Sequence, residues 1–368
     1  MQTTKKLKIA VYTMAKNEAT HVERFCRSVE GADYVVVTDT GSTDGTQELL
    51  ADRGVLVHTA SIQPWRFDTA TNVALANVPA DADVCIKLDL DEVLYTPNGQ
   101  WWRDCIERVW ENGVSQLSYK YTWSWLVPGV VPDVQFAAMH IHARNGYIWR
   151  HAGHACLEHM FKNSKSAHLN GMEIHHYMVS KGRPDYLPLL ELAAAENECP
   201  RTLFYLGREY IQQKDDAGIL KLQQYLQHPK STWQAERAEA MRLIGQRFAA
   251  IQSDAAISWF MQAAAAFPRA REPYFSLAKY LAAQKDWLGA VWAGQRCLMI
   301  TARDLQYVTS DSGAWGPAIY RLLAEGYKEL QNRTLLLRVL EAGLLLFPTD
   351  ELLQQLAIQT GGFEVCNA

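Results

Sequence analysis

Hydrophobic and polar positions fall into two regimes along this chain. Up to Glu92, short apolar runs alternate with amphipathic segments. Leu7–Met14 (LKIAVYTM) is almost continuously apolar, the pattern of a parallel strand covered on both faces. Tyr34–Thr38, Val55–Thr59 and Val84–Leu88 repeat it. Between them lie helical stretches: one after Asn17 with Val22, Phe25, Cys26 and Val29 on one side, then Gln47–Arg53 and Thr69–Asn77. The β-α-β-α-β-α-β order predicts a Rossmann-like α/β domain with a doubly wound, mostly parallel sheet. Such sheets bind ligands beyond the carboxyl ends of their strands, where this chain places its polar clusters.

After Glu92 the period changes. Trp101–Asn112 is amphipathic, and Gln116–Leu126 (QLSYKYTWSWL) alternates, putting Tyr119, Tyr121, Trp123 and Trp125 on one strand face. That face suits a core, or stacking on a bound sugar or base. Phe136–Arg144, Tyr147–Arg150 and Glu173–Tyr177 read as further strands, some of them antiparallel. Lys181-Gly182-Arg183-Pro184 marks a boundary, giving domains 1–182 and 183–368. Beyond it the pattern is helical: 186–198, 201–213, 216–227, 232–252, 254–266, 272–284, 286–300, 317–331, 333–346 and 350–359. Tyr274–Ile300 and Tyr320–Phe347 share an aromatic, a small residue, a break and a second helix, and Phe267-Pro268 and Phe347-Pro348 end two pairs alike. These are features of tetratricopeptide-like (TPR-like) helical repeats at irregular spacing, with an ordinary helical bundle as the competing reading.

Composition narrows the class. The 368 residues carry 36 Lys+Arg against 40 Asp+Glu, for a net charge of −4, so no generally basic character points to nucleic acid. The charge does not divide the chain either: 18 basic and 21 acidic residues precede Leu187, and 18 and 19 follow. No run approaches the ~18 apolar residues of a membrane span, and the N-terminus lacks the apolar core of a signal peptide. The 7 cysteines are scattered without a CxxC pair. Together these features predict a cytoplasmic protein with reduced thiols. Histidine does divide the chain: ten of the 11 lie between His21 and His176, and eight of these from His140 onward. Chemistry is therefore expected in the first domain.

Two motifs stand at predicted strand ends. Asp89-Leu90-Asp91 spaces two carboxylates to converge on one hard divalent ion, Mn²⁺ or Mg²⁺, which could grip a diphosphate; the plain alternative is a solvated acidic turn. Asp39-Thr-Gly-Ser-Thr-Asp-Gly-Thr46 offers glycines for tight turns and hydroxyls and amides for a nucleotide, or for capping the next helix.

The segments KIAVYTMAKNE, VVVTDTGSTDGTQELLADRGV, PWRFDTATNVAL and VCIKLDLDEVL together resemble, in order and spacing, family 2 glycosyltransferases of the GT-A fold, bacterial members with a TPR-like C-terminal region above all. The resemblance is specific over 7–95 and weaker through 147–211. It implies a metal-assisted transferase moving a sugar, with inversion, from a nucleotide-diphosphate donor such as a UDP-sugar to an acceptor hydroxyl or thiol. By position, Asn17 and Glu18 close the first donor loop, Asp39 meets base or ribose, Thr43 and Asp44 line the same loop, and Asp89 and Asp91 hold metal and diphosphate. His175-His176 falls where the family places a histidine near the diphosphate, so His176 is a third metal-ligand candidate.

Two departures matter. Where relatives read Phe-x-x-Ala-Arg-Asn, this chain has Phe67-Asp-Thr-Ala-Thr71-Asn72; Asn72 keeps its place, and Arg66 or Lys87 could replace the missing arginine. Where relatives carry His-Glu, it has His154-Ala155, leaving Glu158, Asp91 and His154 as candidates for the acceptor base. The acceptor stays open among a peptide or protein, which helical repeats commonly bind, a glycan precursor and modified DNA; self-association through the helical domain also fits. A different class fits as well: a catalytically inactive GT-A/TPR scaffold for protein–protein interaction.

Overall fold

The computed structural model describes residues 6–110, 113–161, 164–177, 185–307 and 311–361. The chain divides into two compact units, Met1–Glu198 and Cys199–Ala368. The boundary expected at Lys181–Pro184 lies outside the described residues, and the first unit takes in one further helix beyond it.

The first unit contains β1 (Ile9–Ala15), α1 (Val22–Ser28), β2 (Tyr34–Asp39), α2 (Thr46–Asp52), β3 (Leu56–Thr59), α3 (Phe67–Ala76), β4 (Val84–Lys87), β5 (Glu92–Tyr95), α4 (Trp102–Val109), β6 (Val114–Thr122), β7 (Trp125–Val127), β8 (Val131–Pro132), β9 (Gln135–Ala143), β10 (Tyr147–Arg150), β11 (Cys156–His159), β12 (Lys165–His176) and α5 (Leu187–Glu196). Eight strands form one sheet in the order β3-β2-β1-β4-β9-β6-β12-β5. β1 shows why the sheet is covered twice. Its alternate residues Ile9 and Val11 pack with Phe25 of α1 and Ile106 of α4, while Ala10 and Tyr12 pack with Ala74 and Leu75 of α3 and Trp149 of β10. All side chains of this strand but the half-buried Met14 thus leave water, at ~25 cal/mol per Å² of apolar surface buried.

The expected Rossmann-like, mostly parallel sheet is corrected here. β3-β2-β1-β4 form an all-parallel block, and β6 also pairs parallel with β12. β9 runs antiparallel to both β4 and β6, and β5 runs antiparallel to β12, so the sheet is mixed. The cause is connection length. β6 and β9 are joined through the small β7–β8 hairpin, and an antiparallel pair needs no crossover helix. The four-aromatic face is corrected too. β6 ends at Thr122, so Tyr119 and Tyr121 enter the core, Trp123 stands 44% exposed, and Trp125 belongs to the hairpin.

Among its described residues the second unit forms α6 (Pro200–Gln212), α7 (Ala217–Gln227), α8 (Gln234–Ala250), α9 (Ala255–Ala266), α10 (Glu272–Ala283), α11 (Trp287–Met299), α12 (Ala318–Glu329), α13 (Arg333–Leu346) and α14 (Glu351–Gln359). Four successive hairpins, α6/α7, α8/α9, α10/α11 and α12/α13, are built alike. In each, the first helix ends on a residue in the left-handed region: Lys214 (φ 64°), Gln252 (57°), Lys285 (62°) and Gln331 (54°). The next residue's N–H reaches back five positions in every case: Asp215 to Tyr210 O (2.8 Å), Ser253 to Phe248 O (3.0 Å), Asp286 to Leu281 O (2.9 Å) and Asn332 to Tyr327 O (2.9 Å). This Schellman closure satisfies carbonyls that a helix end leaves orphaned. Asp286 and Asn332 then accept from the N–H three residues on and cap the second helix. Within α8/α9 the helices meet at Gly245, where an added Cβ would sit 2.7 Å from the Phe260 ring.

Candidate functional site

The residues expected to bind a donor stand beyond the carboxyl ends of β1, β2 and β4, and the structure brings them into two groups. In the first, the loops after β1 and β2 lace together. Asn17, at φ 57°, donates its N–H to Ser42 Oγ and accepts from Thr43 N on Oδ1, both at 2.8 Å. Glu18 N donates to Thr46 Oγ1 (2.9 Å), and Ala19 N donates to Asp44 Oδ2 (3.0 Å). Asp39, fully buried, accepts from Gly41 N and Ser42 N (2.9 Å each), Gln47 Nε2 (2.8 Å) and the Ser42 hydroxyl. Hydrogen bonds from the Thr46 hydroxyl and nearby backbone hold the Asp44 carboxyl below its ordinary value. Asp39, Asp44 and the Asn17 amide are thus engaged in tying the two loops to each other.

The second group surrounds Asp89-Leu90-Asp91. Thr13 Oγ1 donates to Asp89 Oδ1 at 2.8 Å, and Lys87 forms an ion pair with the other oxygen. Burial pulls the Lys87 ammonium down, but Asp89 and Glu92 outweigh it, so the group titrates above its ordinary range and stays charged. Asp91 turns to another partner, accepting from His176 Nε2 at 3.0 Å, while His176 Nδ1 lies 2.9 Å from the Trp123 carbonyl. Burial opposes both charges of this pair. Their attraction wins, holding Asp91 below and His176 above their ordinary values. The His176 ring stacks on Trp123 at 4.5 Å. Beneath them Glu92 is buried, receiving Tyr121 OH at 2.5 Å and Asp89 N at 2.8 Å. Burial, with the Asp89 charge, pushes its carboxyl up to about 7.

His175 and His176 face opposite sides of β12, as neighbouring strand residues must. His175 stacks on Tyr95 at 4.3 Å and meets Glu173 through Nε2 at 3.0 Å, leaving its buried Nδ1 without a partner. The remaining expected residues lie in other surroundings. Arg66 pairs with Asp68 (2.9 Å) and Glu196 (2.5 Å). Asn72 clamps the backbone of Trp149 in both directions, at 2.8 and 2.9 Å, fastening β10 to α3. Thr71, in the arginine's place, is buried and bonds the Phe67 carbonyl at 2.7 Å. His154, at φ 50°, packs its ring against Tyr186 at 5.4 Å. Glu158 pairs with Arg150 Nε at 3.0 Å.

As a metal set, Asp89, Asp91 and His176 are drawn to Lys87, Thr13 and one another. Among the described residues, one group of three ligand-bearing side chains brings its donor atoms within 4.8 Å of one another: His151, Cys156 and Glu158. Of these the sequence singled out Glu158 alone. The available signal was His-x4-Cys-x-Glu, a spacing with meaning only once 151–155 is known to be a hairpin turn.

No family model matches the chain, and no curated protein does. Among solved structures the chain is similar to MamA (TM-score 0.35, 16% identity, 47% of this chain and 89% of that one). It is also similar to PilW, a type IV pilus biogenesis factor (TM-score 0.38, 14% identity, 46% and 72%), and to a thermophilic TPR protein of Thermus thermophilus (TM-score 0.33, 16% identity, 48% and 87%). Identities and TM-scores this low carry no functional argument. The solved structures named here include a TPR protein, and none of them is a glycosyltransferase. The family 2 glycosyltransferase reading, with its GT-A label and its assignment as a sugar-transferring enzyme, is corrected accordingly. The UDP-sugar donor gains no support. No helix among the described residues is long and apolar enough to cross a membrane.

Proposed function

We propose that the chain is a protein-interaction scaffold whose helical unit docks a protein or peptide partner. The observation that carries this reading is the fourfold recurrence of one hairpin closure at Lys214, Gln252, Lys285 and Gln331. Stacked hairpins of one geometry are quasi-one-dimensional, and they expose long helix faces that serve as binding surfaces. α11 offers such a face. Leu288, Trp292 and Met299 are 73%, 43% and 69% exposed, and their spacing places them on one stripe. The lacing of the Asn17 and Asp39 loops and the Lys87–Asp89 and His176–Asp91 pairs support a structural role for the first unit's polar cluster. None of the six described cysteines forms a disulfide, which suits a reducing cytoplasm.

The test is site-specific photocrosslinking in cells from Leu288 and Met299, alongside calorimetric titration of UDP and UDP-sugars with Mn²⁺. A discrete crosslinked protein, lost in Trp292→Glu, with no saturable nucleotide heat, is the expected result; a crosslinked second copy would identify self-association. Absence of any discrete crosslink together with Mn²⁺-dependent nucleotide binding would overturn the reading.

A further inference from the structure

We propose that His151, Cys156 and Glu158 form a binding site for one divalent transition-metal ion of the Zn²⁺ class. The site is independent of the acidic cluster and of the scaffold reading. β10 and β11 are antiparallel, with Arg150 opposite Cys156 and Ile148 opposite Glu158. Cys156 and Glu158, two apart on one strand, share a face. His151 follows directly on Arg150 and takes up φ 77°, a left-handed conformation that costs a non-glycine residue roughly 1–2 kcal/mol. That turn sets its ring over the same face. His151 Nε2 lies 3.8 Å from Glu158 Oε1, Cys156 Sγ lies 3.7 Å from the same oxygen, and all three donor atoms fall within 4.8 Å of one another.

These separations are close to what a tetrahedral ion imposes. With metal–ligand bonds of about 2.0–2.3 Å, ligand atoms stand roughly 3.3–3.6 Å apart. The two separations to Glu158 exceed these by a few tenths of an ångström, and its side chain, 45% exposed, has room to rotate. The His151–Cys156 pair, within 4.8 Å, closes by rotation of the partly exposed Cys156 thiol toward the 5%-exposed His151 ring. Arg150 Nε holds the other carboxylate oxygen at 3.0 Å, an outer contact of the kind that orients a ligating carboxylate. Thiolate, imidazole and a single carboxylate select a borderline-soft ion over Mg²⁺ or Ca²⁺. Binding deprotonates the Cys156 thiol, so one proton leaves as the ion enters. Three protein ligands leave one position for water or for a group from a bound partner.

Untagged full-length protein, stripped with chelator, is titrated with Co²⁺ and Zn²⁺. The expected result is one equivalent of Co²⁺ giving a thiolate-to-metal charge-transfer band that Zn²⁺ displaces. Cys156→Ser should abolish the band, and Glu158→Gln and His151→Asn should each weaken Zn²⁺ binding at least about tenfold. Asn tolerates the left-handed backbone, so the last variant keeps the turn, checked by unchanged circular dichroism. Cys26→Ser should leave the band intact. A missing band, or a band that survives Cys156→Ser, overturns the proposal.

Discussion

Replacing Glu92 with glutamine should stabilise the first unit at pH 8 and leave it nearly unchanged at pH 5. The wild-type carboxyl is buried, 6% exposed, and its pKa is pushed up from 4.5 to about 7 by burial and by Asp89. An acid whose pKa rises on folding binds more protons folded than unfolded between those two values. Stability therefore falls as pH rises through that window. At ~1.4 kcal/mol per pH unit, the loss has an upper bound of ~3.5 kcal/mol. The attraction of the ionised Glu92 to Lys87 is already contained in that shift, and relaxation of the site around the ionised carboxyl reduces the loss further. A net gain of about 1–2 kcal/mol for Glu92→Gln at pH 8 is expected.

The amide fits the site: its oxygen can accept from Asp89 N, and its NH₂ can donate to the Tyr121 hydroxyl. The Asp91–His176 pair titrates in the same experiment. With His176 raised, its contribution is complete below pH 6.5 and lost as pH climbs through the folded value. With Asp91 lowered, its contribution is present above pH 3.8 and lost as pH falls. The Asp91 term occurs in wild type and variant and cancels in the difference; the His176 term cancels except for the small part that the Glu92 charge adds to its shift, which glutamine removes. Hydrogen–deuterium exchange on peptides spanning 84–95, corrected for intrinsic rates, gives the opening free energy of this segment alone. A variant-minus-wild-type difference equal at pH 5 and pH 8 would refute the reasoning.

Two further predictions concern the helical unit. Gly245→Val places methyl groups against the Phe260 ring, already 2.7 Å from a bare Cβ, and should cost about 1–3 kcal/mol in thermal unfolding. Phe260→Leu in the same background should restore part of that loss, and no rescue would mean the contact is not responsible. Lys285→Gly relieves the left-handed strain at φ 62°. Set against the added freedom of the unfolded chain, the net gain should be about 0.5–1 kcal/mol, seen as a rise in melting temperature. A fall would show that the Lys285 side chain contributes more than the backbone strain costs.

The helical segments were legible because their apolar period is local. Each helix from α5 to α14 lies within, or shifted by no more than a residue from, a stretch read from spacing alone. The hairpin turns were legible only in retrospect. Lys214-Asp, Gln252-Ser, Lys285-Asp and Gln331-Asn share a conformation with little residue identity, since a left-handed C-terminal residue is preferably glycine and none of these is. The alternation predicts β6 as a strand but carries it past Thr122, because Trp123 continues the polarity pattern after the backbone has turned away.

What the sequence determined by itself was therefore whatever depends on neighbours within one turn or one strand: the helices, the strand cores, and the polar clusters at strand ends. Tertiary structure decided what depends on partners far along the chain. It set β9 and β5 antiparallel to their neighbours in the sheet, gave Asp89 to Thr13 and Asp91 to His176, and engaged Arg66 with Glu196, 130 residues away. It also folded His151 back over Cys156 and Glu158. A carboxylate or imidazole shows its chemistry in the sequence. Its charge state and its partners are set by burial and by the groups that packing brings within about 4 Å.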